Sequence, residues 1–154
     1  MAHVRARVAP EEEALARRVL PVTAWPLFET MPVADRRHGL DGVRRLLAAG
    51  ADEPELLAAA LLHDAAKGQR MRLWHRIAGV LLEAAAPAVL RRLASRNERS
   101  WRHPFHLYLH HAELSADMAR HAGCSARTAA FIRGTVDAGD TQLLRTLEAA
   151  DDAS

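Results

Sequence analysis

The chain has 154 residues, room for one domain of ordinary size, and its 49% apolar and 26% charged residues are the balance of a globular protein with a core. It holds 32 Ala and 21 Leu against three Trp, three Phe and one Tyr, so helix formers dominate and strand-favouring aromatics are scarce, which excludes an all-β domain. The formal charge is only +2, with Arg and acidic residues interleaved and no basic block to track a phosphate backbone, so nucleic acid is not an expected partner.

The N-terminal stretch carries Arg5, Arg7 and then Glu11, Glu12 and Glu13, with no apolar run behind a basic start, so no signal peptide is expected. Pro10 and the three Glu open a first helix, since acidic side chains favour a helix N-terminus. Pro21, Pro26 and Pro32 predict a loop or broken turn over residues 21–33. A second helix is expected over residues 35–49, stopped by Gly50. Asp52 is the expected N-cap of a third, with Pro54 in its first turn, running to Lys67 before Gly68. A fourth helical region, residues 72–95, is kinked or divided at Pro87, and a polar loop follows over residues 96–104. Another helix fits residues 105–121, stopped by Gly123. Ser125 caps the next, through Arg133, and Asp140 caps the last, through about Asp151.

No apolar stretch is long enough to span a bilayer, so no membrane partner is expected. The single cysteine, Cys124, excludes an internal disulfide framework and any Cys-based zinc site, and it points to a reducing compartment, hence a cytoplasmic location. The fold class that follows is all-α, one compact helical bundle. Residues 1–30 form an N-terminal helix and Pro-rich connection that packs on a domain made by residues 31–154.

Nine His is a high count for this length, and His supplies metal ligands and acid–base groups at neutral pH. His63 and Asp64 close the apolar run of residues 56–62, where a buried charge needs a partner or a metal. Lys67 follows Asp64 by three residues and shares its helix face. The short connection at Gly50 makes the second and third helices antiparallel neighbours. His38 stands 12 residues before Gly50 and His63 stands 13 after it, so the two imidazoles lie at similar heights on facing helices. Two imidazoles and a carboxylate there suit a borderline or hard divalent metal. Near the C-terminus, Asp151 continues the apolar face of Leu143, Leu144 and Leu147, whereas Asp152 lies about 100° away.

The segments Arg37-His38-Gly39-Leu40, Leu61-Leu62-His63-Asp64-Ala65-Ala66-Lys67 and Ala150-Asp151-Asp152 resemble the HD superfamily of metal-dependent phosphohydrolases, over roughly residues 31–154. The resemblance implies an HD-type helical bundle with His38, His63, Asp64 and Asp151 as ligands of a divalent ion: iron, manganese, magnesium, nickel or zinc. It implies hydrolysis of a phosphate ester or anhydride in a small phosphorylated substrate, nucleotides being the family's commonest, by metal-activated water. Asp64, Lys67 and His111 would be the catalytic groups, Asp64 steering water while Lys67 and His111 donate to the phosphate. Arg36, Arg37 and Arg44 are weaker candidates for phosphate contact. His111-Ala112-Glu113-Leu114-Ser115-Ala116 is similar to the helix that brings an additional His in two-metal members. Those members carry a further His after an Ile-Arg pair, where this chain has Ile132-Arg133-Gly134-Thr135; Thr135 therefore implies one tight metal site.

Two other readings compete. A domain of the same fold can be a metal- or nucleotide-binding sensor without turnover, in line with Thr135. A plain helical interaction protein would bind no metal and would show a helix face with an exposed apolar patch.

Overall fold

The protein is described by a computed structural model over residues 8–68, 71 and 73–153. Arg5 and Arg7 of the N-terminal reading, and Arg72 at the start of the fourth helical region, lie outside these residues. Among the described residues every regular element is a helix: α1 Pro10–Val19, α2 Trp25–Thr30, α3 Val33–Ala48, α4 Pro54–Leu62, α5 Leu73–Ala85, α6 Pro87–Leu93, α7 His103–His121, α8 Ala126–Arg133 and α9 Thr141–Asp152. The expected all-α class holds.

The centre of the bundle is α4, whose residues from Leu56 through Leu62 are all buried. A helix that is apolar on every side has to be enclosed. It is packed by α1, α3, α7, α8 and α9, with α3 also against α9 and α7 against α8. The N-terminal segment joins the same core through Ala16, Leu20, Trp25 and Phe28. A second layer, α5 and α6, rests on α7. No helix of the described residues is long and apolar enough to cross a membrane.

Several boundaries differ from the sequence expectations, each for a local reason. Residues 21–33 are not a loop throughout: a 3-10 turn over Val22–Ala24 leads into α2, and Pro26 falls in the first turn of α2, where its missing N–H costs nothing. Glu53, not Asp52, is the N-cap of α4. The third helix stops at Leu62 rather than Lys67. Beyond it the Ala65 N–H bonds to the Leu62 carbonyl and the Lys67 N–H to the Asp64 carbonyl, tighter turns than an α-helix makes. Gly68 then takes a positive φ of 57°. The fourth helical region divides at Ala86, before Pro87, as anticipated, and α6 ends at Leu93. Ser125 caps α8 by accepting from the Thr128 N–H; Asp140 is the N-cap residue of α9, as expected, but its side chain makes no capping bond. Its carboxylate is held by both ends of the Arg127 guanidinium, at 2.8 and 2.7 Å.

Candidate metal centre

Close helix approach creates the site. A Cβ built on Gly39 would stand 2.9 Å from the Ala60 carbonyl oxygen and 3.1 Å from the Leu61 Cα, so only a glycine lets α3 lie this close to α4. His38 directly precedes that contact and His63 follows the end of α4. Their rings come to 5.2 Å, centroid to centroid, as the symmetry about Gly50 predicts.

His63 is the C-cap residue of α4, and its Nδ1 lies 2.9 Å from the Ala60 carbonyl. Nδ1 donates there, which turns Nε2 into the site. Asp151, half-exposed on α9 beside buried Leu147 and Ala150, brings Oδ1 to 2.7 Å from His38 Nε2 and 3.1 Å from His63 Nε2. Asp152 is exposed, so the choice between the two by helix face agrees with the placement. Asp64 is buried, with Oδ1 at 3.5 Å from His63 Nε2 and 2.6 Å from Lys67 Nζ.

The charges are coupled. Burial opposes a charged ring at His63, but the bond with Asp151 and the field of Asp64 outweigh it and raise its pKa. Burial also opposes the Asp64 carboxylate, and His63 and Lys67 reverse that, holding its pKa below the ordinary value. Asp151 is held far below the carboxylate range by its bonds with His38 and His63.

The donor set fits a cation. His38, His63 and Asp64 offer ligand atoms that all lie within 4.8 Å of one another, so this group can hold a metal ion. His63 Nε2, Asp64 Oδ1 and Asp151 Oδ1 are buried without a well-aligned hydrogen bond despite their short contacts. Such orphaned atoms converging on one point are what a cation would satisfy. Lys67 Nζ, at 2.6 Å, competes for Asp64 Oδ1.

His111 reaches the same place from α7. Its Nδ1 lies 2.8 Å from the Tyr108 carbonyl, and burial lowers its pKa despite that bond. A neutral ring donating through Nδ1 presents Nε2 as an acceptor. With His63 and Asp151 it lines a cavity of about 250 Å³ whose floor is Phe131, Ile132, Leu144 and Leu147. Lys67 and His111 also line a second cavity of about 340 Å³, with Met71, Val80, Glu83, Tyr108 and Leu109.

Two of the three arginines are engaged on the α1 side of α3. Arg44 pairs with Glu12 of α1 at 2.6 Å and with Asp41 at 2.8 Å, and Arg37 is exposed and adds to the positive field on Glu12. Arg36 is half-buried. Thr135 is exposed beyond the end of α8. His75 is buried beneath Trp74, ring on ring at 3.6 Å, and Cys124 is buried, with its pKa raised by burial, a packed thiol.

Two supporting residues escaped the sequence reading. Buried Ser115 accepts the Ala66 N–H at 3.0 Å and so fixes the turn that carries Asp64 and Lys67. Arg127 ties the approach to α9 both to α8, through Asp140, and to the start of α4, through Glu55 at 3.3 Å. Ser115 lay inside a quoted motif with no visible partner, and Arg127 was one Arg among twenty.

Compared with models of known protein families, with curated proteins and with solved structures, the chain matches none.

Proposed function

We propose that the chain is a metal-dependent phosphohydrolase of the HD type, with His38, His63, Asp64 and Asp151 as ligands of one divalent ion. The observation that carries this reading is the meeting of two imidazoles and two carboxylates from three distant stretches of chain, with a lysine and a third histidine at the edge. When bound, the ion would act as a Lewis acid on a phosphoryl oxygen and acidify water.

The chain's own groups divide the remaining work. Lys67 Nζ, once released from Asp64, donates to a non-bridging phosphate oxygen. Asp64 orients water through an oxygen lone pair. His111 Nε2 accepts a proton, a role suited to its neutral ring. The cavity floored by Phe131, Ile132, Leu144 and Leu147 receives the less polar part of the substrate, a small phosphorylated compound such as a nucleotide.

Elemental analysis of the purified protein beside His63→Ala and Asp64→Ala, followed by phosphate release from p-nitrophenyl phosphate and a nucleoside monophosphate panel, tests the proposal. Near one equivalent of metal and turnover, both lost in the two variants, support it. A protein that takes up no metal when zinc, manganese or iron(II) is added refutes it.

One observation favours the second reading, a non-catalytic metal- or nucleotide-binding module of the same fold. Lys67 already neutralises Asp64 at 2.6 Å. Such a protein would bind metal and hydrolyse nothing in the panel.

A further inference from the structure

Helix α5 is apolar on two faces. His75, Gly79 and Leu82 turn inward, and the Tyr108 ring lies so close to Gly79 that a Cβ there would stand 2.8 Å from it. Trp74, Ile77, Val80 and Leu81 turn outward, roughly 105–165° around the helix from the first set, with Val80 at the edge next to the cavity it shares with Lys67 and His111. Apart from one edge carrying Arg76 and Glu83 the sequence of α5 is apolar or aromatic, a wider apolar surface than one buried face needs. Trp101 extends the outer face. It and Trp74 both pack edge-on against Phe105 and line one cleft.

These five side chains, 50% to 66% exposed, are five of the nine large apolar residues exposed among the described residues, so the exposed apolar surface is concentrated rather than scattered. With roughly 150–250 Å² for each full side chain of this size, they present on the order of 500–600 Å². That exceeds the roughly 400 Å² per partner at which crystal-packing contacts end and approaches the roughly 800 Å² of a standard specific interface, before any rim is counted.

We infer that this outer face of α5, with Trp101, is the interface of a homodimer, the occupant being a second copy of the chain across a two-fold axis. Among the described residues the α5 stripe carries no charged side chain, and the cleft between Trp74 and Trp101 holds one of each sign, Glu98 and Arg99, so two copies can meet without setting only like charges together. Its surroundings hold both signs, Glu83 on α5 and Arg91 and Arg92 on α6, all exposed. An isologous contact sets a patch against itself and needs this self-compatibility.

Sedimentation of the wild-type protein, and of Ile77→Glu/Leu81→Glu, tests the inference. The expected result is twice the chain mass for wild type and the single mass for the double variant, with far-UV circular dichroism and metal content unchanged. Tryptophan emission gives a reading that needs no variant. Trp25 is buried, so a red shift on diluting wild type from ~100 to ~1 μM reports Trp74 and Trp101 becoming wet. A wild type that sediments as a monomer throughout, a double variant that stays dimeric, or emission that does not change over a dilution range in which sedimentation shows the dimer dissociating overturns the proposal. So does a monomer that floats with phosphatidylcholine–phosphatidylglycerol vesicles, which would assign the face to lipid.

Discussion

Replacing Gly39 with Ala tests the contact on which the centre depends. The added Cβ would meet three backbone atoms, the Ala60 carbonyl oxygen at 2.9 Å, the Leu61 Cα at 3.1 Å and the Leu61 carbonyl oxygen at 3.2 Å. None can rotate away, so α3 and α4 have to part by several tenths of an ångström. Overpacking of this kind costs about 1–3 kcal/mol. The gain in helix propensity from Gly to Ala offsets about 1 kcal/mol of it. Gly42, three residues on, is the internal control, since a Cβ there meets only the Ala60 Cβ at 3.8 Å, an ordinary contact. Gly42→Ala keeps the propensity gain without the clash and should be stabilised by up to about 1 kcal/mol. The two variants should therefore differ by about 1–3 kcal/mol, and at ~2–4 °C per kcal/mol Gly39→Ala should melt several degrees below Gly42→Ala by circular dichroism. On the proposed function the parting of His38 from His63 also weakens metal binding in Gly39→Ala alone, since a site tolerates only about half an ångström of displacement. If Gly39→Ala melts with Gly42→Ala or above it, the backbone contact of α3 on α4 is wrong, whatever the site does.

Tyr108 is the only tyrosine, so alkaline titration at 295 nm reads it alone. Burial and its 2.6 Å bond to Glu83 raise its pKa to about 12, and Glu83→Gln should bring it back toward 10. A raised pKa stabilises the fold below pH 10.0 and loses that contribution as pH rises through the folded value, so wild type should lose stability relative to Glu83→Gln across that interval. Ser115→Ala leaves the buried Ala66 N–H without its acceptor and should cost about 1–3 kcal/mol in urea unfolding; a cost near zero would show that Ser115 does not hold the turn. In the metal-free protein His63, with its raised pKa, stabilises below pH 6.5 and ceases to as pH rises through the folded value. Asp151, with its lowered pKa, stabilises above pH 3.8 and ceases to as pH falls through its own. Asp151→Asn in chelator should thus be most destabilised relative to wild type between those two values, and a gap independent of pH would refute the pairing.

The legible part of this molecule is the part governed by local chemistry and period. Pro10 with three Glu, Gly50, Ser125 and the apolar run of residues 56–62 each name a helix boundary or a buried helix without tertiary help. The distance from Gly50 places His38 against His63 because antiparallel helices make sequence offset into height. Where the reading failed, tertiary contact overrode the local signal. The continuation of α4 to Lys67 is consistent with propensity, since Ala65 and Ala66 are strong helix formers. Ser115, 49 residues away, captures the Ala66 N–H instead. Asp140 is a good N-cap residue in isolation, yet Arg127 offers it two charge-assisted bonds. The grouping of Arg37 and Arg44 with the site by sequence proximity overlooked helix direction. They lie seven residues apart on one face of α3, and Glu12 draws that face toward α1.

The charge balance of the centre connects its metal-free and metal-bound states. Without an ion, Asp64 is matched by Lys67, and Asp151 by imidazoles, with the raised pKa of His63 favouring the protonated ring. A buried group of charges that sums to near zero is tolerable where any one of them alone would not be. On the proposed function, His63 Nε2 would have to give up its proton and Asp64 Oδ1 its contact with Lys67 before either could serve as a ligand. Affinity should therefore rise with pH as His63 loses its proton. The displacement has a directional consequence. Lys67 sits on the turn fixed by Ser115 and faces the cavity shared with His111, so once released from Asp64 it stands where an anionic group would enter. On the proposed function, the lysine that neutralises Asp64 is thus the same one that would meet the phosphate.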